Sequence, residues 1–179
     1  MLSLKFAFIE QNMKKMLAPL KQNQNLLRFI QYLSDFPLDL EVFDETSGDA
    51  IPQPDIVSTD LISDKIIIPT LFNTNIVIDS KVYLYFSPLR GNIQDTRTPI
   101  FESRYIFDII CPFASYVING TQEFRPFRIA NEICKSLDCQ DVAGIGQVYL
   151  YDYSLATVNA NYLGMRLFFK INDIAKDYS

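Results

Sequence analysis

The side chains able to do chemistry in this chain are few, and the strongest constraint is that none of its 179 residues is histidine. Histidine is the usual acid–base group near neutral pH and the commonest metal ligand. Without it, Ser-His-Asp and Cys-His nucleophile pairs, histidine-containing zinc sites and iron facial triads all fall away. Carboxylate chemistry survives: Asp108 and Asp152 stand in segments that read as strands. They would work as an acid–base pair only if buried together with raised pKa values. Strand-borne acids more often point to solvent or pair with arginine, and that is the expectation here. Cys111, Cys134 and Cys139 are too few and wrongly spaced for zinc, and read as reduced, small apolar fillers in a cytosolic setting. No nucleophile elbow, Walker loop, HExxH, CxxC or dinucleotide fingerprint is present. Gly144-Ile145-Gly146 precedes a strand instead of opening a helix, so it is not a phosphate loop. The acidic string Asp44-Glu45-Thr46-Ser47-Gly48-Asp49 lacks the alternating ligands and closing Glu of a calcium loop. The expectation is a protein that is not an enzyme and takes neither metal nor cofactor.

A different chemistry, that of protein contact, has more candidates. Residues 88–103 hold Gly91, Asn92 and Pro99 and read as too long for a tight hairpin. They carry Arg90 and Arg97, with Arg104 just beyond, beside Ile100 and Phe101. Such a segment is either a solvated loop or an arm that grips a neighbour, since hydrophobic residues beside arginines make good interface anchors. Arg125 and Arg128, flanked by Phe124, Pro126 and Phe127, form the most compact polar-aromatic cluster. Arginine at a helix start opposes the helix dipole unless it finds a partner outside the helix. The two readings are a surface arginine, solvated or paired with Glu123, and a subunit contact. With Tyr151, from a tyrosine-rich strand, the candidate interface residues are Arg90, Arg97, Ile100, Phe101, Arg104, Arg125, Arg128 and Tyr151.

These residues must be positioned by a packed scaffold, and the composition supports one. The chain is 49% apolar and 21% charged, with 14 Phe and 10 Tyr, an ordinary globular balance. A net charge of −5, from 16 basic and 21 acidic residues, argues against a general nucleic-acid binder. The run 2–9 is apolar but short, Glu10 interrupts it, and nowhere do ~18 apolar residues follow one another, so neither signal peptide nor membrane span is expected.

Residues 1–179 read as a single domain in four parts: a helical stretch (1–35), an irregular segment (36–64), a sheet-plus-helix core (65–171) and a polar tail (172–179). Phe6, Ile9, Met13, Met16 and Leu20 repeat at helical spacing, with Pro19 marking the end. Leu26, Leu27, Ile30 and Leu33 make a second stripe that stops before Pro37. Strands are expected over 65–69, 75–78, 81–87, 104–110, 147–153 and 162–171, with a polar connection over 154–161. Apolar residues on both faces of 104–110 mark a central or interface strand. Asn119-Gly120 supplies a turn. A third helix starts near 121–124, with Pro126 in its first turn and a core stripe of Phe127, Ala130, Cys134 and Leu137 beside Ile129 and Ile133. The order implies an α+β fold, a mainly antiparallel sheet with helices packed on one face.

Several motifs in this frame go together. They are Phe107-Asp108-Ile109-Ile110-Cys111-Pro112, Tyr116-Val117-Ile118-Asn119, Arg125-Pro126-Phe127-Arg128-Ile129 with Glu132-Ile133 and Lys135-Ser136-Leu137, then Gly144-Ile145-Gly146 and Phe168-Phe169. As a set over 105–171, with Pro37-Leu38 after the second helix, they resemble small neck and tail-completion proteins of tailed bacteriophages, including neck ring proteins of crAss-like podoviruses. The resemblance implies a tail-terminator-like fold in the virion, assembled in the host cytoplasm as a homo-oligomeric ring. It implies portal, neck and tail proteins as partners, transient passage of viral DNA, and no membrane. The leading helix and the 36–64 segment depart from a minimal terminator, leaving the neck layer open. The rival readings are a monomeric binding module and an enzyme using carboxylates alone. Under the ring reading, edge strands and the 88–103 arm would pair with adjacent subunits.

Overall fold

In a computed structural model, residues 2–43, 46–63, 66–69, 80–93, 100–142 and 145–174 are described. Helix α1 (Leu2–Gln22) is followed after one residue by α2 (Gln24–Gln31). Pro19 does not end α1, which runs three residues further. The boundary falls at Asn23, whose side chain accepts from the Leu26 amide at 3.0 Å and so caps α2. The same side chain donates to Glu132 and Ser136 of α4 (Arg125–Leu137), tying the helices together. Helix α2 also ends earlier than expected, at Gln31, where Tyr32 turns extended. Leu33 thereby leaves the apolar stripe and is exposed.

The segment expected to be irregular contains a small hairpin, β1 (Glu41–Phe43) with β2 (Ala50–Pro52), and a short helix, α3 (Ser58–Ser63). Leu61 anchors it in the core, and polar side chains hold the rest. Arg28 donates to the Pro37 and Asp39 carbonyls. Gln53 donates to the Phe36 and Asp39 carbonyls, and Gln24 exchanges two hydrogen bonds with Ile56. Such side-chain-to-backbone bonds leave no hydrophobic period for a sequence reading to find.

A six-stranded sheet follows in the order β3-β4-β5-β10-β9-β8. The strands are β3 (Ile67–Ile68), β4 (Tyr83–Ile93), β5 (Ile100–Pro112), β8 (Asp141–Val142), β9 (Gly146–Asn159) and β10 (Tyr162–Ile174). All pairings are antiparallel except β3 with β4, and the helices pack on one face, as expected for the class. Strand β5 is central, and its side chains alternate. Tyr105, Phe107, Ile109 and Cys111 enter the main core with Leu26, Ile30, Ile129 and Ile133, while Ile110 joins Tyr83, Tyr85 and Tyr162 on the other face. Phe86 stacks on Phe107 with centroids 4.2 Å apart, and Phe169 meets Phe107 edge-on at 5.6 Å. At Gly164 a Cβ would lie 2.1 Å from the Ile109 carbonyl oxygen, so the close approach of β10 to β5 requires glycine there.

Three strand expectations change. Within the 88–103 segment, 88–93 and 100–103 are strand: β4 and β5 stay paired as far as Ile93 and Phe101, with a bulge at Leu89. The polar 154–161 connection is mostly strand, leaving two residues between β9 and β10, and 172–174 continue β10 instead of fraying. A strand with a neighbour on one side needs no apolar alternation, because the ladder fixes its geometry while its side chains stay wet. The expected strand at 75–78 lies outside the described residues.

Helix α4, the third of the helices expected from the sequence, starts at Arg125, after a small hairpin of β6 (Val117–Ile118) and β7 (Glu123–Phe124) that turns at Asn119-Gly120. Its buried stripe is Ile129, Ala130, Ile133 and Leu137; Phe127 is exposed and Cys134 only partly buried. Cys111 is a buried filler as expected, but Cys139 is exposed, in the left-handed region with φ 56°.

Candidate assembly surface

Arg125 opens α4 as the largest fully buried side chain among the described residues. Its Nε donates to the Ser115 carbonyl at 2.9 Å. One terminal nitrogen donates to the Phe29 carbonyl at 3.0 Å and the Tyr32 carbonyl at 2.7 Å, and the other to the Ser34 carbonyl at 2.9 Å. Phe29 and Tyr32 lie at the C-terminal end of α2, where orphan carbonyls and the negative pole of the dipole concentrate. The arginine that opposes its own helix dipole thus satisfies the end of another. Burial pushes the guanidinium down from its ordinary pKa, though it stays charged. Arg125 is therefore an internal clamp, with its side chain fully buried within the chain. Arg128, one turn on, pairs with Glu123 at 3.3 Å and lies 5.7 Å over the Phe29 ring.

Around this clamp the surface is aromatic. Tyr116, Phe124 and Phe127 form a chain with centroids 5.7 and 6.0 Å apart. Phe124 and Phe127 are half exposed, and Phe113 and Phe36 also reach the surface. Phe36 lies against Gly120, where any Cβ would come within 2.5 Å of its ring.

The remaining candidates sit on the sheet. Arg90 is opposite Arg104 across β4 and β5, and Ile100 and Phe101 begin β5 opposite Ile174 and Asp173. Arg97 lies outside the described residues. Arg104 pairs with Glu102 at 2.5 Å and lies 5.3 Å over the Tyr151 ring, so two candidates distant in sequence meet. Tyr151 also touches Phe168 at 6.0 Å.

The two strand acids do not form a pair. Asp108 is buried and held by Arg166 at 2.6 and 3.1 Å, while Asp152 stands across β10 opposite Phe168 and is exposed. Burial raises the Cys111 thiol to about 12; burial and then Asp138 raise Cys134 to about 11. Neither has the depressed pKa of a nucleophile. Among the described residues no group of three acids or cysteines could hold a metal ion, and no helix is long and apolar enough to cross a membrane. Residues that sequence reading missed are Asn23, Arg28, Gln53 and Asp138, which accepts from the Leu150 amide at 2.8 Å. Their only sequence signal is a polar residue inside or next to an apolar stripe.

Fold and surface together define a class: an α+β protein tied internally by side-chain-to-backbone hydrogen bonds, with Phe36, Phe113, Phe124 and Phe127 exposed on its surface. The YomW family model matches residues 23–171, and the chain belongs to the YomW family. Among solved structures, a chain from the "Virion of native gene transfer agent (GTA) particle" is loosely similar. It has a TM-score of 0.39 at 12% identity, covering 66% of this chain and 84% of that chain. No curated protein matches the sequence.

Proposed function

We propose that this chain is a structural virion protein of a tailed phage, a ring-forming subunit of the head–tail neck. The observation that carries the reading is the exposed aromatic surface of Phe36, Phe113, Phe124 and Phe127, placed beside a rigidly clamped Arg125. Exposed aromatics on a pre-organised scaffold are what subunit contacts use, because little side-chain entropy is left to lose. The resemblance of the motif set to neck and tail-completion proteins supports the same reading.

In this role the ring joins portal to tail, contacts both, and leaves a channel for viral DNA. The net charge of −5 would keep DNA from sticking to the ring as it passes. Subunits would assemble in the host cytoplasm and remain in the virion. Two experiments test this. Native mass spectrometry with electron microscopy of the purified protein is expected to show a closed ring. Immunogold labelling of particles is expected to mark the neck. A monomer at every concentration together with unlabelled particles would refute the proposal and leave a monomeric binding module.

A further inference from the structure

We infer that the outer edge of β9 over 151–158 receives, antiparallel, the outer edge of β4 from a second copy of the chain. This rests on the reading that the protein works by assembly.

The first half of the β9 edge is closed by its own chain. β8 pairs with Gly146 and Gln147, the Val148 amide donates to the Gln140 carbonyl, the Cys139 amide donates to the Val148 carbonyl, and Leu150 is held by Asp138. A bulge at Tyr151 follows. Beyond it, no strand among the described residues lies outside β9. The Tyr153 amide donates to the Asp152 carboxylate at 2.8 Å, which shows that it points away from β10. The two-residue period puts the Leu155 and Thr157 amides on that same side. Tyr153 and Leu155 are 62% and 67% exposed, more apolar surface than an edge strand safely leaves open.

The chain carries a matching strand. On β4 the closure is at the other end: β3 reaches only Leu84 and Tyr85, and from Ser87 to Ile93 no outer partner lies among the described residues. Strands β4, β5, β10 and β9 alternate in direction, so a copy continuing the sheet brings β4 antiparallel to β9. The charges complement each other. Arg90 on β4 is basic and level with Arg104 of β5, and β9 presents the acidic Asp152.

The opposed closures also impose a stagger. Ser154 lies level with Asp108 and Arg90 with Arg104, four residues apart along β5. With about 3.3 Å per residue and about 4.8 Å per strand over four strands, that inclines the strands by about 35°, near the tilt of closed barrels. The contact is head-to-tail, the kind that can close into a ring.

The test compares association of variants by native mass spectrometry and light scattering, with circular dichroism to check folding. Leu155→Pro removes an outward amide without touching the β10 ladder and is expected to weaken association by about 10-fold or more. Asp152→Arg should weaken it as well, and combining it with Arg90→Asp should restore it. If Leu155→Pro does not fold, the charge exchange decides. A folded Leu155→Pro that assembles as the wild type overturns the β9 edge and leaves the ring reading standing. Weakening without rescue by the exchange overturns β4 as the occupant. A wild type that is monomeric at every concentration overturns both.

Discussion

Replacing Arg125 by alanine is expected to remove much of the stability of this protein although the residue touches no surface. Its four charge-assisted bonds run to the Ser115, Phe29, Tyr32 and Ser34 carbonyls at 2.7–3.0 Å. Each such bond is worth roughly 1.5–3 kcal/mol net, but these values do not add. Tyr32 and Ser34 are only partly buried, and desolvation of the guanidinium is recovered on its removal. Losing one side of a buried charged network costs about 3–5 kcal/mol, and that is the expected loss for Arg125→Ala. Arg125→Lys keeps the charge but not the planar fork, so it should recover no more than about half. Urea unfolding gives the assay, with the midpoint falling at constant slope. An Arg125→Ala loss below about 1 kcal/mol, or a lysine variant as stable as the wild type, would refute the clamp argument.

Other substitutions probe the sheet and the thiols. Gly164→Ala places a Cβ against the Ile109 carbonyl and should cost about 3 kcal/mol or more, seen as a lowered thermal midpoint. With Cys139 exposed, Cys111 buried and both Cys111 and Cys134 raised, a disulfide reagent at pH 8 should label Cys139 rapidly and Cys111 only on unfolding. Burial also raises the Tyr85, Tyr105 and Tyr116 hydroxyls. Groups raised on folding contribute stability that is complete below their unfolded pKa and is lost as pH climbs toward the folded value. The urea midpoint should therefore hold steady to about pH 9 and fall between there and about 12, with tyrosinate absorbance rising late. A midpoint flat to pH 11 would contradict that burial.

Much of the scaffold was legible because it obeys a period. Leu26, Leu27 and Ile30 mark a helical face, and Tyr105, Phe107 and Ile109 alternate with Ile110 on a strand buried on both sides; these are local consequences of 3.6- and 2-residue geometry. The illegible parts are those that a partner distant in sequence decides. Phe127 fits the stripe of α4 but lies at its margin, and no spacing rule says which margin the sheet covers. Arg125 stands out in the sequence because it opposes its own helix dipole. Nothing local could show that the partner was the end of α2, more than 90 residues away.

The sequence by itself determined the fold class, the central strand, the absence of histidine chemistry and the residues whose charges required an answer, because composition and periodicity act within a few residues. Only the tertiary structure decided where the helices stop, how far the strands run, and which arginine is buried and which meets Tyr151. Those outcomes depend on backbone groups that must be satisfied once they leave water, and the groups that satisfy them come from elsewhere in the chain.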